Sequence, residues 1–203
     1  MKSRRGKFRR QILPTTLNLS ERVTNMTGLE ISQGKMYDLD GNKLQTVDKK
    51  LAMKGILEFL LKFERPIILV AHNAHNFASA IILRVMEEVG LLNRFKKLVI
   101  GFADTLPIIR QKLPNRQADG KNYKLRDLSN EFLKMYSEYC DALDNVEALY
   151  DLIKCIGITR IEIEQHSQSL QYLANRFQLT RLARTRSQAC DEDGSVGTSS
   201  SSM

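Results

Sequence analysis

Pro66-Ile67-Ile68-Leu69-Val70-Ala71-His72-Asn73-Ala74-His75-Asn76-Phe77-Ala78 reads as a buried strand running straight into a polar turn and a helix. The run from Ile67 to Ala71 does not alternate, which fits a parallel strand covered on both faces better than a half-wet one. His72, Asn73, His75 and Asn76 then fall at the strand's C-terminal end, where open α/β sheets place their ligand crevice. A polar loop that only caps the next helix has the same composition. These four side chains are therefore candidates for contact with nucleic acid, to be weighed against the rest of the chain.

Outward from this stretch the elements alternate. Upstream, a helix from Asp48 to about Phe63 repeats Met53, Ile56, Leu57 and Leu60 on one face, and Pro66 forces its exit into the strand. Downstream, a helix carries Ile81, Ile82, Val85 and Val89 inward and closes at Gly90. Leu98 to Phe102 is a second buried strand, followed by Asp104 as the cap of a helix whose first turn accepts Pro107. Strand, helix, strand, helix in this order is a parallel-sheet signature, so the fold class is α/β.

Farther out the signals are shorter. Lys7 to Leu13 reads as a strand stopped by Pro14, and Ser20 caps a brief helix through Met26 that Gly28 ends. The Asp40-Gly41 turn between Met36 and Val47 predicts a loop or small hairpin. It is no calcium loop, because Lys43 and Lys49 stand where glycine and glutamate are required. After a polar loop over 115–124, helices are expected over 125–135 and 141–156, the latter burying Ala142, Val146, Leu149 and Ile153. A last amphipathic helix, about Ile163 to Arg184, sets Ile163, Leu170, Leu173 and Phe177 on one side. The expected division is a domain over 1–158, this helix within 159–186, and a disordered serine-rich tail over 187–203.

Composition narrows the function classes. The 203 residues are 42% hydrophobic and 27% charged, enough for one domain with a real core. No apolar run reaches the roughly 18 residues of a membrane span, and the basic N-terminus lacks the apolar stretch of a signal peptide. An intracellular protein, of nucleus or cytoplasm, is expected. Cys140, Cys155 and Cys190 form no C-x-x-C pair and signal neither a disulfide framework nor zinc. The net charge of +8 favours a polyanion such as nucleic acid, or an acidic protein partner. Basic residues gather at the start, from Lys2 to Arg10, and again at Arg176, Arg181, Arg184 and Arg186.

Four segments in order carry a resemblance: Ile12-Leu13-Pro14 with Val23 to Leu29, Leu69 to Phe77, Asp104-Thr105-Leu106, and Asp141-Ala142-Leu143-Asp144-Asn145-Val146. Over roughly residues 7 to 155 the chain resembles the DEDDh family of 3′-5′ exonucleases, within it a vertebrate branch near the exonuclease-like C-terminal region of promyelocytic leukaemia protein. The resemblance implies an RNase H-like fold. It also implies four carboxylates holding two cations, Mg2+ or Mn2+, with a histidine as general base.

Each of the three motifs that would supply these groups fails here. The first, Asp-x-Glu, belongs on a strand ahead of Lys7, where only six residues stand. The second ends in Ala78 where relatives have a metal-binding aspartate, and a methyl group cannot ligate a cation. In the third, Cys140 takes the place of the base and Asn145 that of the carboxylate. Asparagine offers a neutral oxygen and no charge to hold two dications together. Asp141 and Asp144 are neighbours of the right positions, but one residue along a helix turns a side chain by about 100°.

The expectation is therefore an RNase H-like exonuclease fold lacking its first two strands, as in a shortened product or incomplete gene model. The strand at Ile67–Ala71 would be left with an unpaired edge and exposed apolar surface. No intact catalytic residue and no cofactor are expected; Ala78, Cys140 and Asn145 are vestiges. The leading function is an inactive exonuclease-like module that binds single-stranded nucleic acid or a protein. The alternatives are an active Mg2+- or Mn2+-dependent exonuclease with reassigned carboxylates, a Cys140 nucleophile aided by His72 or His75, and a fragment without function.

Overall fold

The computed structural model describes residues 6–14, 19–135 and 142–178. In chain order these form β1 (Gln11–Ile12), α1 (Glu21–Thr27), β2 (Leu29–Ser32), β3 (Lys35–Asp38), β4 (Thr46–Val47), α2 (Lys49–Leu60) and β5 (Ile67–Ala71). A π-turn (Ala74–Ala78) leads into α3 (Ser79–Glu88), then α4 (Leu92–Lys96), β6 (Val99–Asp104) and α5 (Thr105–Lys112). After a 3₁₀ turn (Pro114–Arg116) come α6 (Leu125–Leu133), α7 (Ala142–Cys155), α8 (Arg160–Gln165), β7 (Ser167–Ser169) and α9 (170–178).

The sheet that positions the site is β5-β6-β7. β5 and β6 run parallel, with Ala71 opposite Asp104, and the crossover between them is made by α3 and α4. β7 returns antiparallel along the other edge of β6, setting Gly101 opposite Ser169. β6 is thus paired on both sides and almost wholly buried, whereas β5 has no partner on its outer edge among the described residues. The consequence is visible in Val70, which is 37% exposed in the middle of an apolar strand.

Two clusters hold the chain together. In the larger, Met53, Leu57 and Leu60 of α2 and Leu83 and Met86 of α3 pack with Phe95, Phe102 and, from α9, Leu170, Leu173 and Ala174. In the smaller, Ile108 and Ile109 of α5 meet Leu128 of α6, Leu152 of α7 and Ile158. Each large side chain removed from water in this way contributes about 1.5–3 kcal/mol. The N-terminal segment adds a satellite: Phe8 lies over Gly55 and stacks on Phe59, which meets Phe63 edge-on.

Several local expectations hold. Ser20 accepts from Val23 N–H, Gly28 closes α1 at φ 67°, and the Asp48 and Asp104 side chains accept from Leu51 and Leu106 N–H. Others change. The strand expected over Lys7–Leu13 shrinks to two residues, since Phe8 is engaged with α2 instead. The inward stripe of α3 is centred on Leu83 and Met86, with Ile82, Val85 and Val89 on its flank and Ile81 exposed. In α7 the buried residues are Ala148, Leu149 and Leu152, while Ala142 is exposed and Val146 is 65% exposed. Its first turns join neither cluster. The helix expected from Ile163 to Arg184 is interrupted by β7, because the backbone of 167–169 pairs with β6 before α9 begins. The expected tail over 187–203 lies outside the described residues, as do Arg181, Arg184 and Arg186 of the expected helix, Cys140 and Asp141.

Candidate functional site

β5 ends beside β6, and the chain must turn away at once from Asp104, which stands opposite Ala71. Asn73 makes that turn in the left-handed region, at φ 60°, which asparagine adopts more readily than most residues. This aims backbone N–H groups at the carboxylate. Asp104 Oδ1 accepts from Asn73 N–H and Leu106 N–H, both at 2.9 Å, and Oδ2 accepts from His75 N–H at 3.2 Å. With 4% exposure, the Asp104 carboxylate joins the β5 turn to the start of α5 and is turned away from solvent.

The two histidines are held just as firmly. His72 Nε2–H donates to the Tyr123 carbonyl at 2.7 Å, which leaves Nδ1 to accept from the buried Thr105 hydroxyl at 3.0 Å. Burial lowers the His72 pKa below its ordinary 6.5, and the Arg110 cation adds to this. The Tyr123 carbonyl and the Asp104 charge oppose the shift without reversing it. His75 Nε2–H donates to the Phe102 carbonyl at 3.0 Å, and its Nδ1 lies 3.9 Å from Asp104 Oδ2. Both imidazoles are therefore struts between β5, β6 and the loop ahead of α6.

The outer surface of the turn is made by other residues. Asn76 is exposed; its amide donates to Asn73 Oδ1 at 3.3 Å and its oxygen accepts from Arg176 Nη2 of α9 at 3.0 Å. Phe77, beside it, is 63% exposed. The sequence places His72, Asn73, His75 and Asn76 together, but the fold separates them into two half-buried, bonded rings, a bent backbone and one exposed amide. Tyr123 and Arg176 could not be found from the local pattern, because they arrive from 51 and 100 residues away. A second concavity, of about 560 Å³, lies between β1 and the β2–β3 hairpin and is lined by Arg9, Arg10, Asp38 and Asp40 among others. Its charges are of both signs.

The family model for the Exuperantia RNAse H-like domain matches residues 6–133, from the N-terminal segment through α6. The chain belongs to this family. Human Protein PML is similar to it, 25% identical over 143 residues, covering 68% of this chain and 16% of that protein. Mouse Protein PML is 25% identical over 130 residues, covering 64% of this chain and 14% of the relative. The chain thus spans only a small part of the length of the curated relatives it matches. The matched domain is RNase H-like and exonuclease-like in general type, which ties it to nucleic acid at that level. No helix of the described residues is long and apolar enough to cross a membrane.

The described residues of this RNase H-like domain do not fit the paired cations that the DEDDh resemblance implies. Ala78 ends the π-turn with no donor atom, and Asn145, half-buried on α7, is neutral. Asp144 is exposed next to it, and Asp104 is buried and already accepts from three backbone N–H groups. Among the described residues no three His, Cys, Asp or Glu side chains are grouped so as to hold a cation.

Proposed function

We propose that this domain is a catalytically inactive RNase H-like module, degenerate at its DEDDh motifs, that binds nucleic acid. One observation carries the reading: the carboxylate at the end of β6, Asp104, is bonded to three backbone N–H groups, while Ala78 and Asn145 bring no charge. Two magnesium ions in one pocket repel each other unless anions lie between them. The binding half is supported by membership of an RNase H-like family, by the net charge of +8, and by an exposed amide held beside an arginine at the sheet's C-terminal end.

A digestion assay on labelled single-stranded DNA and RNA with magnesium tests the first half. No turnover is expected, and chelator-sensitive cleavage would overturn it. Gel shift at rising salt tests the second half: affinity should fall steeply as phosphate contacts are screened, and salt-independent binding would count against it. A protein-interaction role is the second reading, favoured by the exposed Val70 and Val146 and by the unpaired edge of β5 among the described residues.

A further inference from the structure

Phe77 is the residue this reading leaves unexplained. It follows a run that the fold buries or bonds, yet 63% of its surface is open. Asn76, just before it, is bonded to Arg176 Nη2 at 3.0 Å, so α9 lies against this side of the turn. One helical turn before Arg176 stands Tyr172, 56% exposed, and residues four apart lie on the same helix face. The exposed groups of this region are thus Phe77 on the π-turn, Asn76 and Arg176 bonded between the turn and α9, and Tyr172 four residues before Arg176.

Resting on the proposed binding of nucleic acid, we infer that this strip is its contact surface for single strands, with Phe77 and Tyr172 stacking on bases and Arg176 meeting phosphate. An aromatic ring is a sequence-tolerant platform for any unpaired base, and a fixed positive charge beside it tracks the backbone. A duplex keeps its base faces stacked inside and offers these rings nothing. The positive charge of the chain matches this occupant better than an apolar protein surface, which would need neither the guanidinium nor the amide.

The chain contains no tryptophan, so Phe77→Trp introduces a sole indole at the surface to be tested. Single-stranded RNA and single-stranded DNA of about 16 nucleotides are titrated separately, with the duplex of the same sequence as a third arm. Expected are quenching of the introduced indole's fluorescence by one or both single strands but not by duplex, and a loss of about 5-fold to 100-fold in anisotropy-measured affinity for Phe77→Ala. Phe77→Leu, which keeps apolar area without a ring, should lose affinity too. Arg176→Gln should lower the slope of log affinity against log salt by about one. Thermal melting of each variant reports folding, which an exposed Phe77 should barely affect.

Wild-type affinity retained by Phe77→Ala and Phe77→Leu, with an unquenched indole, overturns the strip while leaving nucleic-acid binding elsewhere intact. Preference for duplex over single strands overturns it as well. Absence of binding by the wild-type chain to every oligonucleotide defeats the proposed function itself, and this inference with it.

Discussion

Asn73 and Asp104, 31 residues apart, are bound to each other through the backbone: the Asn73 N–H, presented at φ 60°, donates to Asp104 Oδ1 at 2.9 Å. That bond decides what the end of β5 can do. The carboxylate organises the turn rather than a ligand, and the surface available for contact moves outward to Asn76 and Phe77.

Asp104→Ala should be among the most damaging substitutions in the chain. It would leave the N–H groups of Asn73, His75 and Leu106 without their acceptor, and each buried unsatisfied donor costs about 1–3 kcal/mol. Asp104→Asn keeps the shape but loses the charge, so its loss should be smaller. Urea unfolding checks the ranking; an Asp104→Ala protein as stable as wild type would show that the turn is held by something else.

His72 makes stability fall with acid. Its pKa is lower in the folded chain than the unfolded value of 6.5, so below 6.5 the unfolded chain takes up the proton first and unfolding gains. The contribution is complete above 6.5 and is lost as pH falls toward the folded value. Urea midpoints at about pH 7.5 and about pH 5.5 should therefore differ, and the His72→Gln variant should narrow the gap. An unchanged gap in that variant would assign the acid sensitivity to other groups.

Gly101 marks where two strands come closest. A Cβ there would collide with the Gln168 carbonyl across the β6–β7 pair, and that atom is backbone and cannot swing aside. Gly101→Ala should displace β7 and loosen α9 behind it, at a cost of about 1–3 kcal/mol. Hydrogen exchange at 167–169 should accelerate before the rest of the sheet responds, and unaltered protection there would contradict the packing.

Divalent cations should leave stability untouched. A ligand that binds only the folded state raises its melting temperature, so titration with Mg2+ or Mn2+ reads site occupancy without an activity assay. No shift is expected, because Ala78 and Asn145 offer no anion. A manganese-dependent rise would place carboxylates at a site and reopen metal chemistry.

The parts of the fold legible from sequence are those written in local chemistry. Ser20, Asp48 and Asp104 are N-caps with a capping side chain before an apolar stripe, and β5 is an apolar run closed off by Pro66. The turn at Gln33-Gly34, with φ values of 49° and 70°, is hidden because glutamine rarely takes that conformation; the hairpin follows from the Gly34 position and strand twist. β7 is Ser-Gln-Ser, with no hydrophobic side chain to announce it, and exists because β6 had an edge to fill. A readable sign stands nearby that apolar spacing alone misses: Thr159-Arg160-Ile161-Glu162 is a capping box and starts α8 three residues before that spacing suggests.

The candidate site is legible only as a location. Residue types at the end of β5 mark it, but nothing local says that His72 would point inward to Tyr123 and Asn76 outward to Arg176. Those directions are set by chain segments that arrive much later. Phe77 shows the reverse failure, since a phenylalanine is more often buried and this one is on the surface.

The participation of α9 in the larger cluster separates two kinds of boundary. The recognisable family pattern stops at residue 133, yet Leu170, Leu173 and Ala174 seal the same interior as Leu57, Met86 and Phe102. Trimming an expression clone to the recognisable segment would strip the lid from that interior and leave its apolar side chains facing water. No cut belongs before the end of α9.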